Sequence, residues 1–255
     1  MLNVLRVDIK RYLLSKGVIF AAFIIAVLCP LFSELLVLGV AKAVDSEPVA
    51  TMMDLQTYSA MAPLFLALGI TAFLYEEFNE GIIRNKIISG RNRVCIFISH
   101  CLINSILAFV LEVVSVLSSV AIILILGYSY TFSFDEVVRY TLVAALAGVS
   151  VSVLYTTLFI CFCNVKAAIV LPVGLAIFAR LSLIFILDAL YTESGVPKVT
   201  GMTLKLYESI DRFSPFAHLT NDLRWDNASY LLGNGVLIAV SIIIGIITFS
   251  KKDLK

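Results

Sequence analysis

The sequence predicts an all-α membrane protein with six transmembrane helices, and three observations carry that prediction. First, six long apolar stretches run at about Gly17–Ala41, Tyr58–Tyr75, Val94–Gly127, Val137–Cys163, Ala167–Leu187 and Tyr230–Ser250. A hydrocarbon core about 30 Å thick needs about 20 apolar residues per helix, and each stretch supplies roughly that or more. Second, the 255 residues are 60% hydrophobic and only 15% charged, with a mean hydropathy of +1.01. A soluble domain of this length would carry about a quarter charged residues. Third, the charges sit between the stretches and are polarised. Short connections leave no room for a second domain, so residues 1–255 are expected to form a single transmembrane domain. The first stretch far exceeds a signal-peptide core of about 7–15 residues and is expected to be a span.

The net charge of +1 hides the polarity. If the six stretches alternate from a cytoplasmic N-terminus, that side holds Arg6, Lys10, Arg11, Lys16, Arg84, Lys86, Arg91, Arg93, Lys166, Lys251, Lys252 and Lys255, twelve of the nineteen basic residues. Lys and Arg near span ends collect on the cytoplasmic side, so both termini are placed there. No cysteine lies in an expected external loop, which leaves no disulfide framework to form.

In chain order, residues 1–16 place Leu2, Leu5, Ile9, Tyr12 and Leu13 on one helical face and Arg6, Lys10 and Arg11 away from it. Such a segment lies flat at the headgroup boundary as an interfacial, elbow-like helix; a plain extension of the first span is the alternative. The second stretch runs into Tyr75-Glu76-Glu77-Phe78-Asn79-Glu80-Gly81, and the charged segment continues to Arg93. Phe78, Ile82, Ile83 and Ile87 fall to one side of it, which predicts a short helix on the cytoplasmic face bounded by Gly81 and Gly90. A solvated hairpin is the competing reading. The third stretch would make a helix of about 50 Å, too long to cross without tilting or projecting. Ala144, Gly148 and Ser152 in the fourth, and Gly235, Ala239, Ser241 and Gly245 in the sixth, mark faces for close helix packing. Asn164-Val165-Lys166 is a tight turn between the fourth and fifth.

The 191–229 segment is the longest external one. Leu206, Tyr207, Ile210 and Phe213 form an apolar face and Ser214-Pro215 breaks the helix. Short, re-entrant-like helices capping the external mouth are expected here, with Tyr207, Phe213, Pro215 and Phe216 as the candidate gate.

No phosphate-cradling loop, His-Glu-x-x-His pair or Gly-x-Ser-x-Gly elbow occurs, so no enzyme chemistry, nucleotide site, metal site or cofactor is expected in this chain. Three ionisable residues lie inside stretches: Glu34, Glu112 and Arg180. Charges at that depth are paired or face a cavity. They either line and gate a translocation path or form a buried pair, Glu112 with Arg180, that fixes helix register; Glu34 is the competing partner. Carboxylates at such depth also suit an ion-coupled carrier or channel.

The run from Glu77 to Gly81, followed by Ile87-Ile88-Ser89-Gly90-Arg91-Asn92-Arg93 before a long span, resembles permeases of the type-2 ABC exporter family, the membrane subunits of type V exporters. The order of elements is similar over the whole chain, including Ser214-Pro215-Phe216 and the short basic tail. Gly90 stands where a Pro is common, and His100 where a Lys is common. The resemblance implies a half-permease that binds no nucleic acid. It would pair with a second copy, as a homodimer, above two copies of a separate ATPase that binds ATP and Mg. Glu76, Glu77, Glu80, Gly81, Arg84, Arg91 and Arg93 would form the coupling element, with Asn164 and Lys166 as a second contact. Substrate would move outward across a bacterial plasma membrane. Small exporters of this kind move amphipathic peptides and toxins, a lipid-like molecule or drug being the alternative substrate, and Phe65, Phe73, Leu111 and Phe159 are the implied apolar lining.

Overall fold

A computed structural model describes residues 19–20, 23–24, 28, 31–32, 35, 38–39, 49–162, 165–192, 195–220 and 223–251. The expected interfacial helix at 1–16 lies outside these residues, as does most of the first apolar stretch. Among the described residues the chain is almost entirely helical. The helices are α1 (Met52–Asn79), α2 (Ile82–Ile88), α3 (Arg93–Leu126), α4 (Phe134–Cys161), α5 (Val165–Leu190), α6 (Gly201–Phe213), α7 (Pro215–His218) and α8 (Asn227–Lys251). Five of them, α1, α3, α4, α5 and α8, are long and apolar enough to cross a membrane. One departure from an all-helical chain is a two-residue parallel pairing, β1 (Val49–Ala50) with β2 (Ser129–Tyr130).

Helix α4 is the axis of the bundle: 78% of its apolar window is buried, against 17% in α8 and 22% in α5. It begins at a full capping box. Ser133 Oγ accepts from the Glu136 amide at 3.3 Å while the Glu136 carboxylate accepts from the Ser133 amide at 2.8 Å, satisfying two of the first turn's free donors. Its buried face carries Tyr140, Ala144, Gly148, Val151, Tyr155 and Phe159. The outer faces of α3, α5 and α8 present exposed Ile106, Phe109, Leu117, Phe178, Phe185, Val236 and Ile243, the surface a lipid-facing helix needs.

The small-residue faces are used, though not uniformly. A Cβ on Gly148 would stand 3.0 Å from Glu112 Cγ, so this position admits the α3 carboxylate side chain against the α4 backbone. A Cβ on Gly245 would fall 2.1 Å from the Phe97 ring, so α8 receives that ring from α3. Gly235 meets nothing within 4 Å, and its expected packing role is not seen. Gly233, which the pattern did not single out, abuts the Phe213 carbonyl at the end of α6.

The third stretch is one unbroken helix, Arg93–Leu126, about 50 Å long at 1.5 Å per residue. Helix α1, which carries the second apolar stretch, begins before that stretch and ends at Asn79, so Glu76 and Glu77 belong to α1 rather than to the short helix that follows. Phe73, Leu111 and Phe159 are 2%, 6% and 2% exposed, and Phe65 packs on the same cluster. They fill the core between α1, α3, α4 and α5 instead of lining a path.

A methyl group placed in a filled contact must displace its neighbour, at a cost of about 1–3 kcal/mol. Gly245→Ala is therefore expected to lower the thermal midpoint of the detergent-solubilised protein. Phe97→Leu in the same chain should recover most of that loss; a double variant as unstable as the sum of the singles would refute the assigned contact.

Candidate functional site

The corner where α1, α2 and α3 meet holds the densest set of chemistry-bearing side chains. Gly81 (φ 68°) both closes α1, its amide donating to the Phe78 carbonyl at 3.2 Å, and opens α2, its carbonyl accepting from the Asn85 amide at 2.9 Å. Gly90 (φ 81°) ends the element, with the Arg91 amide reaching back to the Lys86 carbonyl at 3.1 Å. Both glycines occupy the left-handed region that side chains resist, which explains why the helix is bounded at these two positions. Asn92 then caps α3 by accepting from the Val94 amide at 2.9 Å.

The inner face of α2 is anchored twice. Ile83 is buried with Ile96, Phe97, Val153, Ile160 and Phe249, a cluster drawn from α2, α3, α4 and α8. Lys86 Nζ donates to Glu77 Oε2 at 3.2 Å and to Oε1 at 3.4 Å. Glu77 is 1% exposed, and His100 Nε2 stands 3.2 Å from the same carboxylate, without the alignment of a hydrogen bond. Glu77 is thus an internal anchor and offers no surface, contrary to its expected place among contact residues. Its partner Lys86 was missed because both residues read as surface charges until α2 folds back over the end of α1. Arg93 Nη1 donates to the Ser250 carbonyl at 3.4 Å, tying this corner to the end of α8. Glu76, Glu80, Arg84 and Arg91 are exposed and form the outer polar face.

At mid-length of the bundle Glu112 is buried. Ser59 Oγ donates to its Oε2 at 3.0 Å, and its Oε1 has no hydrogen-bond partner. No ion pair joins Glu112 to Arg180. Arg180 instead lies half-buried on α5, in a groove against α1 and α7, while the Glu112 side chain packs on Gly148 of α4 and bonds to Ser59 of α1. Glu34, the competing partner, lies outside the described residues, as do Asn164 and the side chain of Lys166.

The opposite end is capped by α6 and α7. Ser214 and Pro215 break the chain between them as expected, with Pro215 at the first turn of α7. The apolar face of α6 is largely open on its outer side, with Tyr207 and Ile210 half-buried. Leu206 is 57% exposed and Phe213 41%, and the residue this helix buries is Asp211. Its Oδ2 accepts from Tyr191 Oη at 2.7 Å and from Trp225 Nε1 at 3.0 Å, which satisfies a carboxylate that burial would otherwise penalise. Arg212 donates to Ser229 Oγ at 2.7 Å and to Asp226 Oδ1 at 3.2 Å, and its guanidinium lies 5.4 Å from the ring centres of both Phe213 and Trp225. Of the candidate gate residues, Pro215 is buried, Phe216 lies 6.5 Å from the Tyr155 ring, Tyr207 is half-buried and Phe213 is exposed.

His218 links this cap to the core. Its Nδ1 accepts from Asn234 Nδ2 at 3.0 Å and its Nε2 donates to the Arg212 carbonyl at 3.0 Å, the assignment that satisfies both partners with a neutral ring. Asn234 Oδ1 in turn accepts from Ser150 Oγ of α4 at 2.7 Å. Burial holds the His218 pKa below the ordinary histidine value of 6.5.

The described residues therefore define a helical membrane protein with a charged, anchored corner at one end, a hydrogen-bonded cap at the other and an arginine in an apolar groove between. No group of three or more His, Cys, Asp or Glu able to hold a metal occurs among them. No protein-family model matches the chain, and no curated protein matches it.

Two outcomes are expected. Lys86→Met strands the buried Glu77 carboxylate and should destabilise the protein by about 3 kcal/mol, whereas Lys86→Met with Glu77→Gln should recover much of the loss in thermal denaturation. A base whose folded pKa is depressed contributes stability above its unfolded value and loses it as pH falls. Stability is thus expected to drop on acidification below about pH 6.5, and His218→Gln should flatten that dependence.

Proposed function

We propose that this chain is the membrane-spanning permease subunit of an ATP-driven ABC exporter, pairing with a second copy and driven by two copies of a separate ATPase that binds ATP and Mg. In this reading it carries a hydrophobic or amphipathic substrate outward across a bacterial plasma membrane, with a peptide or toxin as the leading class. The observation that supports it is the α2 corner: a seven-residue helix isolated by left-handed glycines, anchored inward by Ile83 and Lys86, with Glu80, Arg84 and Arg91 exposed.

Mechanically, a load on the outer face of α2 has two firm routes into the bundle. One is the Lys86–Glu77 ion pair at the end of α1, and the other is the apolar seat of Ile83 between α3, α4 and α8. A flexible loop would dissipate such a load; an anchored helix converts it into movement of α1 and α3. The Lys and Arg distribution sets this end on the cytoplasmic side, where ATPase subunits would reach it.

Co-expression with its ATPase partner should give a complex whose substrate-stimulated hydrolysis falls at least tenfold in Glu80→Lys or Arg84→Glu, with membrane insertion unchanged. Normal coupling in both variants would overturn the role given to α2. A second reading, an ion-coupled carrier, draws on one observation: Glu112 is buried with Oε1 unpartnered. It requires gradient-driven transport in proteoliposomes lacking any ATPase, and loss of that transport in Glu112→Gln.

A further inference from the structure

Arg180 lies well inside α5, fifteen residues after its first residue, Val165, and ten before its last, Leu190. Its side chain is half-buried, and among the described residues no carboxylate pairs with it. A guanidinium at such depth in a membrane-spanning helix needs an anion, a carbonyl or water. What surrounds it is apolar. Met61 and Leu64 of α1, Ile177 and Leu181 of α5, and Phe216 of α7 wall a groove of about 120 Å³. The hydroxyl at its far end, Thr220 Oγ1, already donates to the Ala217 carbonyl at 2.9 Å. Among the described residues no acid lines the groove, so the positive charge has no complement in the walls they form.

We propose that this groove between α1 and α5 binds a single-chain anionic amphiphile, its acidic head on Arg180 and its chain along the apolar walls. The inference rests on the permease reading only for its meaning, by naming the substrate as an acid; the binding itself stands on the groove. Two features select the occupant. A planar guanidinium takes a carboxylate, sulfate or phosphate through paired hydrogen bonds, and this one is partly desolvated, which strengthens them. The space is smaller than the roughly 150 Å³ apolar cavity that accepts a benzene ring, so it holds part of one chain and not two chains side by side. Arg180 also stands too far from either helix end for the headgroup layer to satisfy it. A ligand that partitions into the groove does so without dragging a full lipid after it.

The test is equilibrium binding of dansylated undecanoic acid to the full chain in nanodiscs of neutral phosphatidylcholine, followed by probe fluorescence, with no ATPase or nucleotide. Saturable binding is expected, weakened about tenfold by Arg180→Gln and only partly restored by Arg180→Lys, which keeps the charge but not the paired hydrogen bonds. The methyl ester of the probe should bind the native chain as weakly as the acid binds Arg180→Gln. Met61→Trp fills the groove from α1 with Arg180 intact and should weaken binding of the acid. Equal binding of acid and ester, or unchanged binding in Arg180→Gln, overturns the proposal. So does displacement of the probe by two-chain phosphatidylglycerol at lower concentration than by undecanoic acid. Absence of saturable binding to the native chain with intact ATPase coupling sinks this inference alone; native binding as expected with failed coupling sinks the permease reading alone.

Discussion

The bundle depends on the polar contacts that α4 makes with α3 and α8, two of the helices packed against it. Apolar burial cannot hold helices together in lipid, where the surroundings are as apolar as the helices, so close packing and a few polar contacts must do it. Here those contacts converge on one axis. Thr156 of α4 accepts from Asn104 of α3 at 2.7 Å, Ser150 donates to Asn234 of α8 at 2.7 Å, and Thr157 donates to the Ser241 carbonyl at 3.1 Å. Gly148 makes room for Glu112, whose carboxylate reaches across to Ser59 of α1. The first three contacts tie α3 and α8 to α4, and the last ties α1 to α3.

The same economy explains the two ends. A charged residue that would cost several kcal/mol if buried alone becomes a structural pin once its partners come from different elements. Glu77 joins α1 to α2 through Lys86, and Asp211 joins α6 to Tyr191 and Trp225. His218 is the junction between cap and core, because its two ring nitrogens face the α6 backbone and Asn234. Rigid ends joined by a polar-registered bundle would let a displacement at the α2 corner reach the opposite cap without being absorbed in between, which is the property the proposed permease requires.

The parts legible beforehand were those decided by neighbours in sequence. Gly81 and Gly90 bounded α2 and Ser214-Pro215 divided α6 from α7, because backbone conformation at those residues is set locally. Helix lengths followed from apolar runs, and the long third stretch stayed one helix because nothing in it interrupts the backbone ladder. The candidate site was less legible. Glu80, Arg84 and Arg91 keep their expected exposure, but Glu77 is turned inward, and Phe73 and Phe159 fill the core. The apolar face on α6 was legible, whereas the burial of Asp211 on that helix, with Tyr191 and Trp225 as its donors, was not.

By itself the amino-acid order determined that this protein is a bundle of membrane-length helices and where most of them start and stop, because hydropathy, glycine and proline act over a turn or two of chain. Only tertiary packing decided which charges are pins and which are surface. Glu112 meets Ser59 and not Arg180, and Arg180 is left facing a groove. That choice depends on the rotation of each helix about its own axis. The rotation is set by contacts between residues up to a hundred and more positions apart, which no local pattern encodes.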